Sequence, residues 1–306
     1  MKQSELISTV LVLLFVSLVP KLTAISPATA TIATDSQSSV ISQFPIPGSD
    51  CDAGGDSRGP AGGFDTSIPF IISPRNTAIL KDKPTIRWNP VRGASSYTVT
   101  IRDNQGEIWW EKKQVKTTEI AYDGKPFQPG ASYSLVVQTD KGDSSSRESL
   151  PNLGFRRLSP DDVRQVEAVV DLITKQGLTD EAKALSLAYL YTGYGLRGEA
   201  IKVLETEVRN GSKNLAIYRL LGDLYSRIQL NLLAGDSYEK AIELAKAAND
   251  IQALATVQAK LGEVYEARGD KNNAVRLYRD ALNNYRQLGD SQRVREMEQK
   301  IKDLPL

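Results

Sequence analysis

The chain of 306 residues contains no histidine. This removes the side chain used most often as a general base or transition-metal ligand, and it excludes Ser-His-Asp and Cys-His catalysis within the chain. Cysteine occurs once, at Cys51, so no internal disulfide can form. Cys51 sits in a Gly-rich stretch, where neither packing nor catalysis is expected of it, and Gly48-Ser49-Asp50 before it does not resemble a lipid-attachment signal. A bond between chains is the one role left open to it. Excess charge of either sign is also absent. The balance of 38 basic against 37 acidic residues, net +1, argues against a dedicated nucleic-acid or polyanion binder. The one long apolar run, Leu6 to Val19, is 14 residues, short for a membrane span and normal for the core of a secretory signal.

Lys2 precedes that run, Pro20-Lys21 ends it, and Ala28-Thr29-Ala30 supplies a small-residue cleavage site. Residues 1–30 therefore read as a signal peptide, with an uncleaved anchor as the alternative, and the rest of the chain is expected outside the cytoplasm, in a periplasm or beyond the cell. Residues 31–66 are rich in Ser, Thr, Gly, Asp and Pro, with too few apolar side chains to offset the entropy of ordering. Phe44-Pro45-Ile46-Pro47-Gly48 is the exception, an apolar stretch able to dock. The Gly pairs between Gly54 and Gly63 lack the Lys-Ser/Thr ending and the following helix of a phosphate loop. No cofactor or metal is expected.

Residues 67–158 alternate with a period of two. Ile86 and Trp88 share a face, as do Tyr97, Val99 and Ile101, and Tyr133, Leu135 and Val137. Asn89-Pro90, Arg92-Gly93, Asp103-Asn104-Gln105-Gly106, Pro129-Gly130 and Lys141-Gly142 separate the runs. Several short strands at this spacing predict a β-sandwich. The order Pro84-Thr-Ile-Arg-Trp88, Gly93-Ala-Ser-Ser-Tyr97 and Phe127-Gln-Pro129-Gly130-Ala-Ser-Tyr133 resembles a fibronectin type III domain, with Phe127 where that family usually has leucine. The resemblance makes Trp88 the core tryptophan and Tyr133 a tyrosine whose hydroxyl bonds to backbone a few residues upstream. Strand alternation puts Ile108 and Trp110 on the inner face and Trp109 outside. There Trp109 is either a platform for a sugar ring or partner, or a tryptophan packed against Tyr122, a loop or the helical region.

Residues 159–306 turn to helical periodicity. Ser159-Pro160-Asp161-Asp162 is a strong helix start. Tyr218, Leu221, Gly222, Tyr225, Ala234, Tyr238 and Ala241 recur as Leu261, Gly262, Tyr265, Ala274, Tyr278 and Ala281. A weaker copy reads Ala188, Tyr191, Gly195, Ala200 and Leu204. Ala188 to Gly222 is 34 residues and Gly222 to Gly262 is 40, so six extra residues lie between the last two copies, within Leu244 to Ala255. The pattern resembles the tetratricopeptide repeat (TPR), in its longer variant for the last copies, and it implies a solenoid of about eight helices. The predicted fold class is thus multidomain, an all-β sandwich followed by an all-α array.

In TPR arrays the first helix of each repeat lines a concave groove. Carried over by position, the resemblance puts Tyr189, Arg219, Asp223, Ser226, Arg227, Glu263 and Glu266 on that surface. Leu185 and Tyr189 do not supply the Lys and Asn of the clamp that some TPRs use for C-terminal carboxylates. The whole is similar to bacterial envelope proteins that join a fibronectin-like module to TPRs. It implies an exported, non-catalytic scaffold for a protein or peptide, with glycan binding through Trp109 as the alternative. The segment Leu153 to Leu158 between the two regions is short and carries Phe155 and Leu158, so a packed junction is predicted.

Overall fold

The computed structural model describes residues 68–148 and 154–304. The signal segment, Phe44–Gly48 and Cys51 lie outside them. Eight strands come first: β1 (Ile71–Ser73), β2 (Thr77–Ile79), β3 (Thr85–Trp88), β4 (Tyr97–Arg102), β5 (Ile108–Val115), β6 (Glu119–Ala121), β7 (Ser132–Thr139) and β8 (Gly154–Arg157). Eight helices follow: α1 (Pro160–Lys175), α2 (Asp180–Gly193), α3 (Arg197–Arg209), α4 (Leu215–Arg227), α5 (Asn231–Ala247), α6 (Ile251–Ala267), α7 (Lys271–Gln287) and α8 (Ser291–Lys302).

The strands form two sheets, in the order β1-β3-β6 and β2-β8-β7-β4-β5. One apolar core joins them. Ile71, Ile86 and Trp88 come from the first sheet, and Val99, Ile101, Leu135, Val137 and Phe155 from the second. The alternation read from the sequence sets these faces. Trp88 is buried and meets Tyr97 edge-on at 5.3 Å between ring centroids. The Tyr133 hydroxyl accepts a bond from the Gln128 N–H at 2.8 Å.

Among the helices, α2–α3, α4–α5 and α6–α7 pair as hairpins, with α1 and α8 packed at the two ends. Gly222 and Gly262 explain the repeated glycine. A methyl group on Gly222 would lie 2.6 Å from the Tyr238 ring, and one on Gly262 would lie 2.6 Å from the Tyr278 ring. Each glycine is a socket for an aromatic ring of the second helix. The six extra residues lengthen the helices: α2, α3 and α4 have 14, 13 and 13 residues, whereas α5, α6 and α7 have 17 each. The longer helices break at a common turn, a left-handed residue followed by aspartate. Asn249, Gly269 and Gly289 have φ of 52°, 77° and 71°. Asp250, Asp270 and Asp290 then accept a bond from the backbone N–H three residues on, capping α6, α7 and α8.

Two earlier helices lack such a cap. α3 starts after Leu196 and α5 after Leu230, each without a side-chain cap. The sheet module covers these turns. Thr77 Oγ1 accepts the Gly198 N–H at 3.1 Å, so a residue of β2 caps α3, and the Ala78 N–H donates to the Gly195 carbonyl at 2.8 Å. Arg75 Nε donates to the Ile228 carbonyl, the C-cap of α4, at 2.7 Å. Arg75 is 3 % exposed, lies over the Phe70 ring, and pairs with Glu148 at 2.9 Å. Gly154–Arg157 is not a linker but strand β8, paired with β2 and β7. Leu158 is buried with Ala78, Leu80, Val166 and Leu196, and Ser159 caps α1. The predicted packed junction is present, with no free segment between β8 and α1.

Breaking a buried ion pair by removing one partner costs about 3–5 kcal/mol, whereas an apolar pair of similar volume is often neutral. Arg75→Met is expected to lose stability of that size in urea unfolding, and Arg75→Met with Glu148→Leu to recover most of it. Gly222→Ala is expected to cost about 1–3 kcal/mol by overpacking, even though alanine favours helix over glycine by about 1 kcal/mol. The urea midpoint reads both.

Candidate functional site on the inner face of the helical array

The first helices of the hairpins lie nearest one another. α2 touches α4 and α4 touches α6 across the intervening helices, more closely than the second helices approach each other. α4 buries Ile217, Leu220, Leu221, Leu224 and Tyr225 among its neighbours. This leaves Arg219, Asp223, Ser226 and Arg227 as a partly open stripe with the i, i+4 spacing of one helix face. On α6, Glu263 and Glu266 occupy the matching positions. Tyr189 on α2 is half-buried and packs against the core of the first two repeats.

The carboxylates of this face are engaged. The Tyr238 hydroxyl donates to Asp223 at 2.6 Å. The Tyr278 hydroxyl donates to Glu266 at 2.6 Å, and Lys300 of α8 reaches the same carboxylate at 3.1 Å. Glu263 pairs with Lys260 at 2.9 Å. Each ring that fills a glycine socket is therefore tied at its far end to an inner-face acid. Where α4 carries one acid, at Asp223, the hydroxyl takes it. Where α6 carries two, the hydroxyl takes the second, Glu266. A third phenol, Tyr225, donates to Glu205 of α3 at 2.6 Å, and Glu205 also meets Arg87 of β3 at 3.1 Å. Burial, and next the adjacent carboxylates, push the Tyr225, Tyr238 and Tyr278 hydroxyls well above the ordinary phenol range. Arg219 and Arg227 form no ion pair or side-chain hydrogen bond among the described residues.

Two clefts adjoin the array. One of about 650 Å³ lies between α6 and α8, lined by Thr256, Lys260, Glu263, Tyr285, Met297 and Lys300 among others. The other, about 370 Å³, lies at the module junction between Ile72, Pro90, Tyr225 and Leu233. Glu263, assigned by position to the concave groove, lines the first together with Lys260 and Lys300, which sequence reasoning did not name. Lys300 belongs to the end helix, outside the repeat pattern, so no positional analogy reached it. Sequence reasoning also missed the tyrosine–carboxylate ties. Their signal was present only as an acid one or four residues after each socket glycine.

Strand alternation predicted Trp109 outside and Ile108 inside, and neither holds. β5 carries a bulge here: Ile101 pairs with Trp110 and Arg102 with Ile108. Trp109 is the extra residue, so the alternation fails at this point. Both tryptophans pack on the core between the two sheets, and Ile108 is 54 % exposed. Trp109 donates to the Tyr122 hydroxyl at 3.1 Å, lies 5.1 Å from the Tyr133 ring, and has the Lys125 ammonium 3.7 Å over its face. The packed reading is the one observed, and the glycan platform loses its open ring.

Residues 214–287, from the Asn214 cap of α4 to the end of α7, match the tetratricopeptide repeat. The helices form a TPR-like solenoid. No curated protein sequence matches the chain. Solved structures similar to it include MamA, at 22% identity over 47% of this chain and 88% of that one, TM-score 0.35. BtubC from P. vanneervenii is 16% identical over 47% of this chain and 73% of that one, TM-score 0.35. The N-terminal domain of stress-induced protein-1 from C. elegans is 18% identical over 48% of this chain and 98% of that one, TM-score 0.33. Among the described residues no helix of the TPR-like array, or elsewhere, is long and apolar enough to cross a membrane.

Hydrogen bonds to charged groups contribute about 1.5–3 kcal/mol. Tyr238→Phe is expected to lose about that much in urea unfolding at neutral pH. A phenol whose folded pKa is raised adds stability that is complete below the unfolded value, about 10, and is lost as pH rises above it. Stability should therefore fall on alkaline titration, and less steeply in Tyr238→Phe. Absorbance of tyrosinate against circular dichroism checks the order of ionisation and unfolding.

Proposed function

We propose that the chain is an exported, non-catalytic scaffold that holds a protein or peptide on the inner face of its TPR-like array. The observation that carries this reading is the α4 stripe. It is a helix face left partly open between packed neighbours, with two arginines, Arg219 and Arg227, unmatched within the described residues. The repeat match over residues 214–287 supports it. The sheet module reads as fibronectin type III-like. Support comes from the strand orders β1-β3-β6 and β2-β8-β7-β4-β5, the buried Trp88 and the Tyr133-to-backbone bond. Its role is to brace the array, because Arg75 and Thr77 bond backbone groups at the turns before α5 and α3, which lack side-chain caps of their own. Export rests on the Lys2, Leu6–Val19 and Ala28-Thr29-Ala30 pattern.

Two measurements test this. N-terminal sequencing of the protein recovered from outside the cytoplasm is expected to begin at Thr31; an intact Met1 start would remove the cleaved signal. The immobilised chain is expected to retain a defined protein from the envelope of its own host, and Arg219→Glu with Arg227→Glu to release it. Retention of nothing, or equal retention by the double variant, overturns the scaffold reading.

A further inference from the structure

Every inner-face carboxylate at the predicted groove positions is occupied from within the chain. Asp223 holds Tyr238, Glu263 holds Lys260, and Glu266 holds Tyr278 and Lys300. The cations of α4 are not. Arg219 and Arg227 stand on one stripe, eight residues and so about 12 Å apart along the helix, with Asp223 between them turned to the Tyr238 hydroxyl. Arg227 has company. Asn76 accepts a bond from the Arg197 guanidinium at 2.6 Å, and its neighbour Arg75 binds the Ile228 carbonyl. Two adjacent residues of the sheet module thus bring Arg197 to the end of α4, beside Arg227. Arg197 meets no carboxylate among the described residues and sits in the first turn of α3, where the helix dipole is positive and a cation is disfavoured. Burial first, and then the charge of Arg227, hold its pKa below the usual guanidinium range. The near end of the stripe is a pair of cations that no carboxylate pairs with among the described residues, and the far end is a third.

We infer that the partner presents an acidic segment to α4, with one carboxylate for Arg197 and Arg227 and another for Arg219. This rests on the scaffold reading and gives its partner a chemical class. The chain as a whole is nearly neutral, net +1, so the attraction is local to this face. On an extended segment, at about 3.3 Å per residue, carboxylates three to four residues apart span the stripe. Arginine suits this role, because its planar fork meets a carboxylate through two parallel bonds.

Fluorescence anisotropy with the full chain tests it, using three sets of extended peptides. One set has Asp or Glu at i and i+4, one has Asn or Gln there, and one has Lys; a single-stranded oligonucleotide serves as the fourth probe. The acidic set is expected to bind at least about tenfold more tightly than its amide counterpart, as for two charge-assisted contacts, and to weaken with salt. Arg219→Glu with Arg227→Glu should abolish binding. Both side chains are free of described bonds, so the fold should survive, as circular dichroism will show. Arg279→Glu, on the exposed side of α7, should leave binding unchanged. Equal binding of the amide or Lys set overturns the acidic partner while leaving the scaffold intact. Oligonucleotide binding as strong as the acidic set, or loss of binding in Arg279→Glu, also overturns it. No binding by any peptide, together with no capture from the envelope, removes both readings.

Discussion

The buried guanidinium of Arg75 is the interaction on which the two-module arrangement depends. A cation withdrawn from water is costly, by several kcal/mol, unless its charge and donors are met. Here one nitrogen bonds the last carbonyl of α4 and another meets Glu148, while the Phe70 ring lies under the plane. Those three contacts come from the sheet module and the array together, so neither surface is satisfied without the other. Thr77 and Ala78 extend the same logic to α3, whose first turn has no cap of its own. The turns that lack their own chemistry are the turns the sheet module covers. The later ones, with Asp250, Asp270 and Asp290, need no such cover.

Within the array, one geometric device links packing to the candidate surface. A glycine makes a socket, a tyrosine ring fills it, and the hydroxyl at the end of that ring ties down an acid on the inner face. Packing therefore decides which charges of that face are spent. It ties the acids of α4 and α6 into hydrogen bonds and ion pairs and leaves the arginines of α4 without a bonded partner among the described residues.

Much of the fold was legible in the residues. Alternation at Ile86/Trp88 and Tyr97/Val99/Ile101 set the inner faces of both sheets, because burial on one face of a strand enforces a period of two. Gly222 and Gly262 marked the repeat, and the 40 residues between them marked its lengthened helices. Trp109 and Ile108 were misread because a bulge adds a residue that no local pattern announces. The stretch before Ser159 read as a connection, yet β8 pairs there with β2, 78 residues earlier, in a parallel register that only the assembled sheet creates. The seven groove residues were chosen by position in a repeat. That choice cannot tell an open side chain such as Arg219 from one held by a partner, such as Asp223.

The sequence by itself determined the two periodicities, the order of a β region before a helical repeat, the absence of histidine chemistry and the places where helices meet. These follow from local spacing and residue type, which act over a few turns or strands. The tertiary structure decided that a buried arginine and a threonine of the β region finish the helices of another module, and that the inner-face acids are occupied while the arginines are not. Those outcomes depend on contacts between residues 75 and 228, 77 and 198, and 266 and 300. They are set by where each unsatisfied donor, acceptor or charge finds its partner once the chain is packed, which local spacing does not encode.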